Sequence, residues 1–370
     1  MKVLHVISDE NIGGAGVLLT NLLKNMDCHC VNSIVALPQN SLLSPRIQDL
    51  KVPLIELKHS CDRFSLRSVM ELKRIIKREG VDIIHSNAAF CARIAGKLEG
   101  KQVLHTRHCC FEPQGIWKNK AVRILGGTCN RLLSNRVIAT AEAAAENLCQ
   151  LGIPRDRIDV IINGSEAIRM IDEDVLLQYK RRFGIKEGDF CIGICARLEP
   201  YKGHETFLKA AKRLMSMHPE IPFRFLIVGD GSQKSYLIGL CQRMGLSHVV
   251  CFTGFVEDMA PVYRLLRINV NCSYGTETSC LALSEGMSAG VPFLATDFGG
   301  NRAMCEESDA GRIYPVGNAE TLSDLLAEIA TDPVLEERMR TAAESRYMEK
   351  YTAAAMGKAL TAVYESMLKH

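Results

Sequence analysis

Runs of consecutive apolar, β-branched-rich residues recur along this chain, and stretches of helical period separate most of them. In the first half, KVLHVIS (2–8), NSIVAL (32–37), PLIEL (53–57), VDIIHS (81–86), QVLHT (102–106), RVIAT (136–140) and DVII (159–162) read as strands. GVLLTNLLKNM (16–26) is one of the intervening helices. A strand that is apolar on both faces must be covered on both, and crossover helices on a parallel sheet provide that cover. The rhythm breaks after Gly164 over a charged stretch, about 166–188. It restarts with FCIGICA (190–196), FRFLIVG (223–229), VVCFTG (249–254), INVNC (268–272) and PFLAT (292–296). The chain is therefore expected to be α/β, with two doubly wound, Rossmann-like domains at 1–165 and 166–350. Its length of 370 residues suits two cores better than one. The remaining segment, 351–370, reads as a helix and is expected to pack back towards the N-terminal domain.

Composition excludes several function classes. No apolar stretch approaches the roughly 20 residues that span a bilayer. The opening MKVLHVIS looks like a strand, because it lacks the long apolar core and cleavage site of a signal peptide. The 15 cysteines form no CxxC pair, and several (Cys191, Cys195, Cys251, Cys272) sit in apolar runs, so they read as reduced core residues of a cytosolic protein. Cys28 and Cys30, flanking His29, are set aside as a metal site. The net charge of +3 is unevenly spread: residues 1–165 carry 22 Lys and Arg against 15 Asp and Glu, the remainder 23 against 27. The basic first half, with runs such as ELKRIIKRE (71–79), reads either as solvated helix faces or as a surface for an anionic membrane. Nucleic acid is not expected, since aromatics do not interleave the cations.

Four features fall where the carboxyl ends of parallel strands would gather a ligand site. NIGGAGVLL (11–19) follows the first strand, and Gly13 and Gly14 allow a tight turn before a helix N-terminus that favours an anion. The full GxGxxG spacing is missing, so turn glycines remain an equal reading. ARLEPYKGHETFLKAAKRL (196–214) puts Arg197 and Lys202 in a strand-to-helix loop, where a fork and a point charge suit a diphosphate. ETSCLALSE (277–285) opens another helix, with Glu277 at its start and free amides near Thr278 to Leu281. Eight residues place Glu285 roughly 80° round that helix from Glu277 and about 12 Å along it. LHTRHCC (104–110) brings histidines to a strand end, where a structural role is the ordinary one for His105 or Arg107.

Together these residues resemble the family 4 retaining glycosyltransferases of the GT-B fold. The carriers are the E-x7-E pair Glu277 and Glu285, Arg197 with Lys202, the VIINGSE hinge (160–166), GFVEDMAPVY (254–263) and the glycine loop at 13–14. The resemblance implies a metal-independent hexosyltransferase that needs no cofactor. It would move a sugar from a nucleotide-sugar donor, a UDP-sugar first in rank, to a carbohydrate or lipid-linked hydroxyl in bacterial cell-surface polysaccharide or glycolipid synthesis. Arg197 and Lys202 would hold the diphosphate, joined by amides near Cys280 and Leu281 and by Gly14. Glu285 would bind the ribose, Val256 would present its backbone to the base, and Glu277 would contact the sugar. His108 would lie near the anomeric carbon. The location implied is cytoplasmic, with peripheral contact at the inner face of the membrane as a further expectation.

The chain departs from the family pattern at Thr278, Ser279 and Cys280, which stand where a glycine and an aromatic are common. That bears on sugar preference. Acceptor sites of the family come from first-domain loops, here CCFEPQGIWKNKAVRIL (109–125), which could equally rest on a membrane or act as a lid. Two alternatives share the architecture: a sugar-nucleotide epimerase, and a catalytically silent nucleotide-sugar-binding homologue. An oxidoreductase would leave Arg197, Lys202 and the two glutamates unexplained.

Overall fold

The computed structural model describes residues 1–8, 13–59, 65–108, 115–275 and 278–369, with the side chain of Trp117 left aside. The chain divides into two compact units, Met1–Ser165 with Tyr351–His370, and Glu166–Lys350.

The first unit carries strands β1 (Lys2–Ile7), β2 (Asn32–Pro38), β3 (Leu54–Leu57), β4 (Ile83–Asn87), β5 (Gln102–Arg107), β6 (Arg136–Ala139) and β7 (Ile158–Val160). They form one sheet in the order β3-β2-β1-β4-β5-β6-β7, every pair parallel. Its helices are α1 (Gly14–Asn25), α2 (Ser44–Asp49), α3 (Leu66–Glu79), α4 (Phe90–Leu98), α5 (Lys120–Leu133) and α6 (Glu142–Gln150). Every residue of β4 is buried, as a central strand covered on both faces requires. Helix α3 shows the usual local logic. Ser65 caps it by accepting from the Ser68 amide, Gly80 ends it at φ 61°, and Val69, Leu72, Ile75 and Ile76 turn inward. The basic run 71–79 is largely paired: Lys73 and Lys77 both reach Glu99, and Arg78 reaches Glu79.

The second unit opens with α7 (Glu173–Phe183), which occupies the charged stretch where the strand rhythm breaks. Glu173 and Asp174 lie in its first turn and Lys180, Arg181 and Arg182 in its last, the arrangement the helix dipole favours. Strands β8 (Phe190–Cys195), β9 (Phe223–Val228), β10 (Val250–Gly254), β11 (Ile268–Asn271), β12 (Phe293–Thr296) and β13 (Gly311–Tyr314) form a second parallel sheet, ordered β10-β9-β8-β11-β12-β13. The sequence pattern missed β13, because GRIY is four residues long with a charge inside it and no apolar run marks it. Helices α8 (His204–Met217), α9 (Lys234–Arg243), α10 (Ala260–Leu265), α11 (Leu281–Ser288), α12 (Asn301–Cys305), α13 (Ala319–Thr331) and α14 (Pro333–Lys350) cover it. The last helix, α15 (Ala353–Leu368), belongs to the first unit, where it packs on α1. A Cβ on Gly357 would sit 2.6 Å from the Asn25 carbonyl oxygen, so only glycine permits that approach.

Each sheet has one place where the strand order reverses: between β1 and β4 in the first, between β8 and β11 in the second. Open parallel sheets leave a crevice at the carboxyl ends of such a pair, and ligands bind there.

Candidate active site

In the second unit, Arg197 and Lys202 follow β8 and the 272–281 loop follows β11, so both flank the reversal. The two loops touch. The Tyr274 amide donates to the Tyr201 carbonyl at 2.9 Å. Gly203, at φ 70°, lies so close to the Cys272 carbonyl that a Cβ would fall 2.1 Å from its oxygen, so both the conformation and the approach demand glycine. A small cavity at the strand ends is lined by Lys202, Asn271, Ser273, Cys280 and Ala282. Lys202 and the beginning of α11 therefore share one space. Tyr201 organises the cations: the Arg197 guanidinium donates to its hydroxyl at 2.8 Å, and Lys202 Nζ lies 5.8 Å from its ring centroid.

Helix α11 begins at Leu281, later than the sequence pattern suggested. Glu277, four residues before that start in the sequence, lies outside the described residues, and its expected 80° relation to Glu285 lies outside them with it. Thr278 is buried and Ser279 and Cys280 lead into the helix. The N-cap residue Cys280 makes no side-chain capping bond; the Leu283 and Ser284 amides turn back to its carbonyl, and the first amides point out of the helix end. Asn271 Nδ2 donates to Cys280 Sγ at 3.1 Å while its Oδ1 accepts from the Ser273 amide, which fixes the loop into the helix.

Glu285 sits in the second turn of α11, partly buried. Burial raises its carboxyl above the ordinary glutamate value, and the Tyr263 hydroxyl, donating at 2.8 Å, pulls it back. Tyr263 packs in one apolar cluster with Val256 and Cys195. The Val256 side chain is buried there, while Phe255 beside it is exposed. The sequence reading quoted Tyr263 as the end of GFVEDMAPVY without giving it a role, and missed Tyr201 and Asn271 altogether. A tyrosine or asparagine at a strand end carries no spacing signal of its own.

In the first unit, Gly13 is the N-cap of α1, with no side-chain cap and no acidic residue in the first turn. A Cβ on Gly14 would meet nothing among the described residues within 4 Å. His108 follows β5, next to β4 in the sheet. Its Nε2 donates to Asn87 Oδ1 at 3.0 Å, and burial holds its pKa down at about 4, so the ring is neutral at physiological pH. Asn87 ends β4 and precedes Ala88, a non-glycine at φ 59°. That conformation costs roughly 1–3 kcal/mol and is held by surrounding structure where it persists. Here the Ser86 hydroxyl clasps the turn by donating to the Ala89 carbonyl at 2.8 Å. Asn87, His108, His85 and Thr106 line a cavity of about 30 Å³, and Asn87 Nδ2 has no partner among the described residues. Behind it, His85 bonds Tyr364 of α15 and Thr106, each at 2.6 Å. His105 contacts the Ser86 carbonyl, and burial with the Arg93 charge lowers it to about 3, the mark of a structural residue.

The described cysteines are free thiols. Asp27, Cys28 and His29 have ligand atoms within 4.8 Å of one another at an exposed turn, a kind of grouping common on surfaces without an ion.

Two parallel-sheet units, one presenting paired cations and a helix N-terminus at its strand-order reversal, define a nucleotide-handling α/β protein of the GT-B fold. Residues 12–167 match the family described as Glycosyltransferase Family 4, and residues 177–346 match the glycosyl transferases of group 1. The chain belongs to the family 4 glycosyltransferases. It is similar to the N-acetyl-alpha-D-glucosaminyl L-malate synthase of Bacillus anthracis, 22% identical over 97% of this chain and 95% of that protein. An uncharacterized glycosyltransferase of Methanocaldococcus jannaschii is 25% identical over 63% of this chain, and the match spans 60% of that relative's length. Among solved structures, Anabaena HepE in complex with UDP-glucose superposes with a TM-score of 0.85 at 19% identity, over 99% of this chain and all of that one. The same Anabaena protein is known in complex with UDP and glucose. Among the described residues, no helix is long and apolar enough to cross a membrane.

Proposed function

We propose that the protein transfers a hexosyl group from a UDP-sugar to a hydroxyl of a carbohydrate or lipid-linked acceptor, with retention at the anomeric carbon and without a metal. One observation carries this reading: the loop bearing Arg197 and Lys202 meets, across the strand-order reversal, the N-terminal end of α11, with Glu285 in its second turn. A diphosphate fits that arrangement, with Arg197 as fork, Lys202 as point charge and the amides around Cys280 and Leu281 as fixed dipoles. The Anabaena structures with UDP support the choice of base.

The Glu285 carboxylate accepts from the ribose hydroxyls, and the backbone at Val256 addresses the base. Glu277, with Thr278 and Ser279, holds the sugar. Gly13 and Gly14 of the first unit supply further amides for the phosphates, and neutral His108 lies beside the reacting carbon. In the chemical step the bond from the anomeric carbon to the UDP oxygen breaks, and the acceptor oxygen bonds that carbon on the same face. The acceptor proton passes to the departing phosphate. Two cations and a helix end neutralise the charge that develops on UDP, the task a metal performs elsewhere. A lipid-linked acceptor would make the protein a peripheral partner of the inner membrane face.

The test is a panel of nucleotide sugars, with slow nucleotide release and sugar products both followed. UDP release with an intact hexose as product, unaffected by EDTA, is the expected result. An altered UDP-sugar would make the protein an epimerase, no turnover with any donor would make it a silent binder, and loss of turnover in EDTA would remove the metal-free step.

A further inference from the structure

Helix α5 is built inside out. At 100° per residue, Ile124, Leu125 and Leu132 fall within an arc of about 100°, and this arc faces solvent. Ile124 is 58% exposed, Leu125 66% and Leu132 69%, with Ile116 of the preceding short helix at 72%. The face turned towards the unit carries Gly126, Gly127 and Asn130 beside the half-buried Val122 and Leu133, and Gly127 is the helix's single buried residue. A Cβ at Gly127 would lie 2.0 Å from the Gly152 carbonyl oxygen, so the helix approaches its support backbone to backbone. Arg93 of α4 anchors its far end, donating to Asn130 Oδ1 at 2.7 Å and Ser134 Oγ at 3.0 Å. A helix stabilised by core packing would turn its leucines inward. Solitary exposed apolar residues need no explanation, but three on one arc of a single helix, with a fourth exposed just before it, do.

The charges select the occupant. From residue 113 to 141 the sequence holds no aspartate or glutamate; of its cations Arg136 pairs with Asp159, which leaves Lys118, Lys120, Arg123 and Arg131 on α5 and just before it. Lys120 and Arg131 lie along one edge of the apolar arc. The other basic helix of this unit, α3, instead spends its lysines on Glu99 and buries its apolar stripe. An exposed apolar arc with a cationic border fits the interface of an anionic bilayer, where side chains enter the acyl boundary and the cations meet the headgroups.

We propose that the outward face of α5, with Ile116, docks the protein on an anionic lipid surface. The proposal rests on the reading of a membrane-borne acceptor for its purpose, not for its geometry. The docking helix belongs to the first unit and the diphosphate site to the second, so the two ideas fail separately.

The test is co-sedimentation of the full chain with vesicles of phosphatidylcholine, with and without phosphatidylglycerol. Emission from Trp117, the only tryptophan of the sequence, is read in parallel. Wild type is expected to bind the anionic vesicles, more weakly as salt rises, and not the neutral ones. Ile124→Gln, Leu125→Gln and Leu132→Gln together should lower that binding at least about tenfold. Lys120→Gln with Arg131→Gln should lower it roughly fivefold or more. Circular dichroism and the thermal shift given by UDP should stay at wild-type values in both variants. Failure of wild type to bind anionic vesicles overturns the proposal, as does equal binding by the triple variant. So does a wild-type dimer in light scattering that the triple variant converts to monomer, because a second copy would then be the occupant. A missing UDP shift in wild type would sink the donor assignment and leave the docking result standing.

Discussion

The two units share an architecture and differ in what they bring to the place where their strand order reverses. The second presents cations, Arg197 and Lys202, and a carboxylate, Glu285, at the ends of β8 and β11. The first presents neutral imidazoles and amides: His108 on Asn87, with His85 tied to Thr106 and Tyr364 behind. Burial lowers His5 to about 3, His108 to about 4 and His85 well below its ordinary value. The difference teaches that a doubly wound sheet fixes where a ligand can bind, while the loop residues fix what charge it meets there. Paired cations stand at the reversal in one unit, and neutral imidazoles and amides at the reversal in the other.

The sharpest way to break that division is to remove the charges. Arg197→Ala and Lys202→Ala should each cost about 2.7–4 kcal/mol of transition-state stabilisation, roughly 10²–10³ in turnover at saturating donor. Folding should be unchanged in Arg197→Ala, where the side chain is exposed, and little changed in Lys202→Ala, where it is half-buried. Near-normal turnover in either variant would take the diphosphate out of the second unit.

Acid should separate the units next. A histidine whose folded pKa is lowered leaves the unfolded chain binding more protons between the folded value and about 6.5, so stability falls as pH drops through that window. For His5, folded value about 3, the loss by pH 5 is about 2 kcal/mol. His85, His105 and His108 of the same unit shift in the same direction. Among the described residues of the second unit, His204, at about 4, is the one histidine so shifted. Hydrogen exchange followed by mass spectrometry at neutral pH and near pH 5 should show the first unit, α15 included, opening first. Earlier opening of the second unit would contradict the account.

A smaller effect tests Glu285 through its neighbour. Tyr263→Phe removes the donor that offsets burial, so the carboxyl should rise further and be protonated at a higher pH. UDP affinity should fall by about 0.5–1.5 kcal/mol, and the pH midpoint of UDP binding should move upward. A midpoint that stays in place would mean that Glu285 does not govern nucleotide binding.

Most of this was legible in the sequence because parallel strands announce themselves. β8, FCIGIC, is apolar on both faces, and the glycine and cation loops could be placed at strand ends. What escaped lacks periodicity. β13 is short and carries an arginine. The start of α11 slipped to Leu281 because SYGTETSC offers several serines and threonines able to cap a helix and nothing that singles out one of them. Asn87, Tyr201 and Tyr263 act by orienting His108, Arg197 and Glu285, and such support is a matter of distance across the fold. The inverted face of α5 was quoted as a mixed segment, but only burial shows which side of it faces outward.

The account's central claim is that nucleotide and sugar are held by different carboxylates, and calorimetry with UDP tests it most directly. Glu285→Gln removes the charged acceptor for the ribose hydroxyls and should weaken UDP binding itself. Glu277→Gln should leave UDP affinity near wild type while initial rates with the best donor fall, because an interaction made only with the sugar appears in turnover and donor affinity. Equal loss of UDP affinity in the two variants would contradict the division. So would full transfer by Glu277→Gln, leaving that residue no more than a charge near the start of α11.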